Sequence, residues 1–503
     1  MKICNKRQIC EGINPGSFSG EREKILKEVN LDPDKMDGFM KASLGEDESM
    51  KAIIDLRKFT KKFSKMSGKS EELSVGGAKK EITLNTDLAR KAIDRKIIKK
   101  DDSSLEMNDY MIPSNEGHVK HMCLTFGQIE GMEEHNYLEA MKTFISKMPS
   151  AKFTILTSGD ADKEKIQNLV NQWAKDGVVS NPERVQICAS KYNLTIWAQD
   201  STLVVGNNVV EQDRMDFPSK GDSAVASELA KANPEVNYKR MEGIFIDGGN
   251  QLATDDTIFV GSDAVAFTIK DMKQYPSKYN KISGELKIDN AKSLSQEELV
   301  KTMMDRTFPH QKVVVIGYKG EQPAFHIDMA MTPLGKSDPE TGKKVITVGD
   351  PSMALGILKD IKEKDPEKFA SYEKSLSDKL GGWTKKPLEG LFEHLKDDKA
   401  LQENFDAVAK GLEDSGYKIE RVPYLGSSSL PYYPWITYNN SVVDGNNIFI
   451  PNFGIPELDN AGNSVYKKYG YDIVPLDMTG VSSLQGAINC ITKVIERDYT
   501  ESA

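Results

Sequence analysis

From residue 118 onward the sequence predicts an α/β fold. Short runs of β-branched and aromatic residues alternate with longer segments whose apolar residues recur at helical spacing. Breaks rich in glycine, proline and asparagine separate the two kinds of segment. Taken in order, residues 120–126 read as a strand and 136–148 as an amphipathic helix. Residues 153–157 read as the next strand, 161–176 as a helix and 185–188 as a strand. Residues 312–317, a β-branched run ended by Gly317, read as a buried strand. A long polar helical segment over 351–416 interrupts the alternation, with strands returning at 418–423.

Residues 1–115 have a different character and read as a mainly helical accessory region. Ala52, Ile53, Ile54, Leu56, Phe59 and Phe63 fall at roughly helical spacing between lysines. A break follows over 65–80, and the helical pattern resumes from Leu84 to Ile98. Asp101 to Ser104 and Pro113-Ser114-Asn115 read as linker, which divides the chain into an accessory region (1–115) and a main domain (116–503). Residues 51–100 carry 15 basic and 6 acidic residues. Without aromatic interleaving or a nucleic-acid motif, this basic segment reads as a solvated helical face, so no nucleic-acid partner is expected. The accessory region is expected to be either a targeting or partner-binding module or a helical brace on the main domain.

At 503 residues and 56.0 kDa, with 38% apolar and 28% charged residues, the chain can bury a large core. It has no apolar stretch of 18 residues, so no membrane span is expected. The basic start lacks an apolar segment after it, and five scattered cysteines include no C-x-x-C pair. Both features point to a reducing, cytoplasmic setting without a disulfide framework or zinc site. No G-x-G-x-x-G follows a strand, so a dinucleotide cofactor is unsupported.

Four segments carry reactive side chains. Leu194 to Ser201 runs through Trp197 to the carboxylate of Asp200. Ile244 to Asn250 ends an apolar run in Asp247-Gly248-Gly249-Asn250, where paired glycines permit close backbone approach. In Ala324 to Met329, an extended chain would set His326 and Asp328 on one face, as an imidazole and carboxylate poised for acid/base work. Gln485 to Thr492 sets Cys490 in a small-residue turn before a strand. Each has a plain structural explanation as well: Trp197 as a pocket wall, a His and an Asp at a strand end, a cysteine as a small buried hydrophobe.

In this order the segments resemble the guanidine-modifying enzymes of the pentein superfamily, in particular agmatine deiminases and the catalytic domain of protein-arginine deiminases. Trp197-Ala198-Gln199-Asp200 is similar to their W-x-Q-D and W-x-R-D motifs, and His326-Ile327-Asp328 to their H-V-D motif. Gly486 to Thr492 resembles the G-x-x-H-C-x-T motif around their nucleophile, and Asn439-Asn440-Ser441 with Asn447 to Pro451 resembles the segment before it. The resemblance covers about residues 118–497. It implies a five-bladed α/β propeller of ββαβ units with a central site and a helical insertion at 351–416. It implies Cys490 as nucleophile, His326 as acid/base, and Asp200 and Asp328 as carboxylates on the guanidinium. Trp197, Asn250 and Asn440 would be further substrate contacts.

The activity so implied is hydrolysis of a guanidinium, in protein arginine or a small molecule, to a ureido group and ammonia. The stretch 343–351 and the helical segment after it resemble the longer layout of the protein-arginine enzymes. Agmatine deiminase, amidinotransferase and a catalytically silent binding protein are the alternatives. No cofactor is implied. Two departures stand out: Asn489 replaces the histidine usual before the nucleophile, and Leu203 and Leu252 stand where calcium-dependent enzymes have carboxylates. No metal is therefore expected.

Overall fold

The computed structural model describes residues 73–75, 78–80, 107, 109–127, 129, 131–213, 221–382, 384–430 and 432–499. The helices expected over 52–63 and 84–98, and most of the basic segment, lie outside the described residues. Within the expected break, Leu73–Val75 pairs antiparallel with Ala78–Lys80.

Besides that strand pair, the described strands form five sheets of three or four strands. The first joins His118–Phe126, Lys152–Ser158 and Val185–Ser190 in parallel, with Lys493–Asp498 antiparallel on the free edge of His118–Phe126. The second holds Leu203–Val205, Asn208–Asp213 and Asn237–Phe245, and the third Gln251–Ala253, Thr257–Gly261 and Lys312–Ile316. The fourth is built of Met331–Ser337, Lys344–Asp350, Lys418–Leu425 and Ile436–Thr437. The fifth consists of Val442–Asp444, Asn447–Asn452 and Asp472–Asp477.

One construction repeats in all five. A strand pairs antiparallel with a second, and a helical crossover then brings a third strand parallel to the second. Parallel pairing requires such a crossover, since no tight turn can reverse the chain direction twice. In the fifth sheet the crossover is a single helix, Pro456–Lys468. In the fourth it is the stretch expected to interrupt the fold, four helices from Pro351–Lys364 through Lys399–Asp414. This stretch is thus an enlarged crossover. Its helices bury Ala354, Leu358, Leu376, Leu388 and Leu391 in one cluster with Val422 and Leu425 of the fourth sheet.

The apolar clusters link the sheets in a cycle. Cys123 and Leu156 of the first pack with Val204 and Val209 of the second. The second and third share Val210, Ile258 and Val260, and the third and fourth share Phe259, Met331 and Val348. Val345 and Val422 of the fourth meet Ile448 and Ile450 of the fifth. The fifth closes on the first through Val442, Phe449, Met122 and Phe153. Among the described residues no helix is long and apolar enough to cross a membrane.

Of the residues read as linker, 101–104 lie outside the described residues, while 113–115 and the described residues just before them are held against this body. Met107 and Met111 are buried in the core shared by the second and third sheets. The Gln311 side chain accepts from Met111 N–H, Ser114 N–H donates to Ala253 O, and Asn115 Nδ2 donates to Pro333 O. Buried apolar side chains and fixed hydrogen-bond partners make this segment part of the packing rather than a free tether.

If the helical crossover of the fourth sheet is integral, Leu358→Ala should cost about 2–5 kcal/mol, the range for emptying a buried leucine site. Denaturant unfolding followed by fluorescence and by circular dichroism should then lose stability in a single coincident transition. Separate melting of the helices would show an independent appendage.

Candidate active site

Every reactive segment lies in a connection from one sheet to the next. Trp197 and Asp200 lie between the first and second sheets, and Asp247 to Asn250 between the second and third. His326 and Asp328 connect the third to the fourth, and Asn439 and Asn440 the fourth to the fifth. Asn489 and Cys490 lead from the fifth sheet into Lys493–Asp498 of the first. Main-chain bonds fix these connections to one another. Gln199 N–H donates to Cys490 O at 3.1 Å, Gly248 N–H to Asp200 O at 3.1 Å, and Asn489 N–H to Asn440 O at 3.3 Å.

The expectation of an extended chain at His326 and Asp328 is corrected. His326 has extended dihedrals, but Ile327–Met329 forms a 3₁₀ turn. Alternation therefore does not set the two side chains on one face. The turn is held from the second–third connection: the Asn250 side-chain oxygen accepts from Ile327 N–H at 3.3 Å and from Gln322 Nε2 at 2.9 Å. Gln322 in turn donates to Ala324 O and Phe325 O. The Asn250 amide is thus engaged with protein partners that shape the turn.

Around the sulfur the geometry is tight. Cys490 is 1% exposed, with Asp328 Oδ2 at 3.6 Å from Sγ and Met329 Sδ at 4.0 Å. Asn440 grips the cysteine twice, with Nδ2 donating to Sγ at 3.2 Å and Oδ1 accepting from Cys490 N–H at 3.2 Å. Its Nδ2 also lies 3.3 Å from Asp328 O. Asn489, in the position where a histidine was usual, donates to Asp328 Oδ2 at 2.8 Å. Asp328 Oδ1 is buried without a hydrogen-bond partner among the described residues.

The imidazole of His326 lies between two carboxylates. Nδ1 is 3.5 Å from Asp200 Oδ1, and Nε2 is 3.4 Å from Asp247 Oδ2. Carboxylates on both sides are partners for an imidazolium. Gly249 makes this approach possible, since a Cβ there would stand 2.6 Å from His326 Nδ1 and 2.7 Å from Asp200 Oδ1. Beyond His326, the residues Phe245, Asp247, Asn250, Asp263, Phe267 and Phe325 line a cavity of about 90 Å³. Trp197 is partly buried, and its ring covers Gly486, where a Cβ would come within 2.3 Å. The preceding Gln485 adopts a left-handed conformation with φ 71°, which turns the chain sharply before the cysteine.

Burial sets the electrostatics. Desolvation, followed by the nearby Asp328 and Asp200, pushes the Cys490 thiol well above its ordinary value. Desolvation also raises Asp328 to about 6, against the opposing pull of His326 and the Asn489 hydrogen bond. The resting site therefore favours a thiol, and it has two carboxylates at hand for a cation. Leu203 and Leu252, expected as poor calcium ligands, are both buried apolar side chains.

The sequence reading did not single out Asp247, Gln322 or Lys493. Asp247 lies within the segment 244–250, where the paired glycines are the stronger signal. Gln322 and Lys493 carry no sequence signal, because their roles come from what the fold packs around them.

Comparison with protein-family models finds no match, and comparison with curated protein sequences finds none either. Solved structures do resemble this chain. One, provisionally named an agmatine deiminase, covers 78% of this chain and 97% of its own at 13% identity, with a TM-score of 0.50. An agmatine deiminase from C. jejuni covers 76% and 94% at 14% identity, with a TM-score of 0.47. That of Enterococcus faecalis covers 79% and 98% at 10% identity, with a TM-score of 0.46. The likeness is one of fold: the chain has the pentein fold, as the motifs implied.

The raised carboxyl of Asp328 has a consequence for stability. Its folded-state value lies above the unfolded one, so folded protein holds this proton more tightly. Stability from it is present below pH 4 and is lost as pH rises through 6. Asp328→Asn should therefore be more stable than the parent at pH 8, by on the order of 1–3 kcal/mol. The advantage should shrink toward pH 5 in denaturant titrations. An unchanged or opposite difference at pH 8 would show that the carboxylate is better satisfied than its contacts indicate.

Proposed function

We propose that this chain is a cysteine-dependent hydrolase that converts a guanidinium to a ureido group with release of ammonia. The observation that carries the reading is Asp328. Its buried carboxylate has one oxygen without a hydrogen-bond partner among the described residues, and the other lies 3.6 Å from a cysteine sulfur. A guanidinium is planar, permanently charged and rich in N–H donors, so it matches both the charge and the unused acceptor. Asp200 would take another edge of the same group. A guanidinium so held has its central carbon within reach of Cys490.

In this reading the substrate supplies the positive charge that the thiol lacks at rest. Entry of the cation between the carboxylates lowers the cost of a thiolate, so the thiol gives up its proton to solvent and the sulfur attacks the carbon. The S–C bond forms, His326 gives its proton to the leaving nitrogen, and the C–N bond breaks to release ammonia. The thiouronium is then attacked by water, whose proton passes to His326, and the ureido product leaves as the thiol is restored. Asp247 would hold the imidazole in place from its far side. Asn440 would act mainly on the nucleophile, since its amide already bonds to Cys490. Asn250 would position the turn that carries His326 and Asp328, and Trp197 would wall the site.

We further propose that the cycle of five sheets is the five-bladed propeller of this superfamily, with the five connections converging on its centre. The long helical crossover favours protein arginine as substrate over a small guanidine, and residues 1–115 would contribute targeting or a partner contact. A cytoplasmic setting remains part of this reading.

Ammonia release should be measured with agmatine, free arginine and an arginyl peptide. Cys490→Ala should abolish it while leaving the unfolding transition in place. Turnover retained in that variant, or no ammonia from any of the three in the parent, would sink the hydrolase reading. Ammonia-free transfer of an amidino group to an added amine would indicate a transferase instead.

Asp328 also predicts the acid limb of the pH profile. Below about pH 6 it gains a proton and loses its attraction for the substrate cation. Since kcat/KM reports groups of the free enzyme, it should fall below that pH. A profile flat down to pH 5 would count against Asp328 as a substrate carboxylate.

A further inference from the structure

Lys493 opens the strand that follows the nucleophile turn, three residues beyond Cys490 and opposite Cys123 in register. It is 3% exposed, and among the described residues no carboxylate stands within ion-pair distance of its ammonium. The titratable groups acting on it are Asp200 from the first–second connection, Asp328 from the third–fourth, and Cys123 from the paired strand. It thus shares one buried compartment with the two carboxylates assigned to the guanidinium. A buried cation without an ion pair is costly and rarely retained without a use.

We propose that Lys493 is a positioning residue whose ammonium balances Asp200 and Asp328 before substrate arrives, and which releases its proton to solvent when the guanidinium takes that role. The proposal rests on the reading of those two aspartates as substrate carboxylates. The reason is charge balance in a medium of low polarity. Two carboxylates accommodate an internal cation, but a second permanent cation beside an unchanged ammonium would be repelled. A lysine can yield its proton, whereas a guanidinium cannot. Burial has already brought Lys493 down to about 7, against the pull of both aspartates, so the exchange falls in the neutral range. Position and chemistry agree: the exchange leaves the compartment with the same net charge before and after binding.

The test is the number of protons released when agmatine or arginine binds the full-length Cys490→Ala chain. That background removes turnover and the thiol proton together. Calorimetric titration in two buffers of different ionisation enthalpy gives the count. About half a proton should be released at pH 7, falling toward zero above pH 8, where Lys493 is already neutral. With Lys493→Met in the same background, release at pH 7 should fall to roughly a tenth of a proton, the residue left by Asp328. Lys493→Arg cannot lose its charge, so it should bind agmatine at least about tenfold more weakly and release no more than the methionine variant. Binding without proton release at pH 7 in the parent background, or equal release with lysine and methionine, would overturn the proposal while leaving the hydrolase reading intact. Failure of both ligands to bind would remove the guanidinium reading itself, and the proposal with it.

Discussion

The pairing of Lys493–Asp498 with His118–Phe126 is the interaction on which the rest of the arrangement depends. It joins the last described strand to the first sheet and closes a cycle in which each sheet shares an apolar cluster with the next. Arg497, on the same strand, secures the junction. Its buried guanidinium donates to the main-chain oxygens of Ser114, Glu116, Gly117 and Val443. Without this closure the turn carrying Cys490 would have no fixed relation to the other four connections.

Closure also explains why the site is so dry. The connections meet where apolar clusters converge, and Cys490 itself belongs to the cluster between the third and fourth sheets. Charged groups brought there lose water, so Asp328 and the thiol are both pushed toward their neutral forms. The protein compensates in part with amides. Asn440 and Asn489 donate to sulfur and carboxylate without adding charge, which leaves the electrostatic imbalance to be met by a cation.

Asn489 illustrates how a departure from a motif can be read physically. A histidine at this point would bring a titratable ring beside Asp328, whereas asparagine brings a fixed donor at 2.8 Å. The asparagine therefore supplies a hydrogen bond without adding a titratable group. Among the groups whose ionisation burial displaces, Asp328, Cys490 and Lys493 then shape how the site responds to pH.

The sequence by itself determined the alternation of strands and helices, because periodicity and turn residues act locally. It also marked Trp197, Asp200, His326, Asp328 and Cys490, whose motifs are short and contiguous. It misjudged the local geometry at His326 and Asp328, where a 3₁₀ turn replaces the extended chain, because that turn is held by Asn250, far away in sequence. It likewise made 351–416 an interruption, since nothing local distinguishes an inserted helical domain from an enlarged crossover between parallel strands. Only the tertiary structure placed Asp247 against the imidazole, Asn440 on the sulfur and Lys493 in one buried compartment with Asp200 and Asp328. Those relations depend on distance and dehydration, which arise when separate connections meet in a closed core.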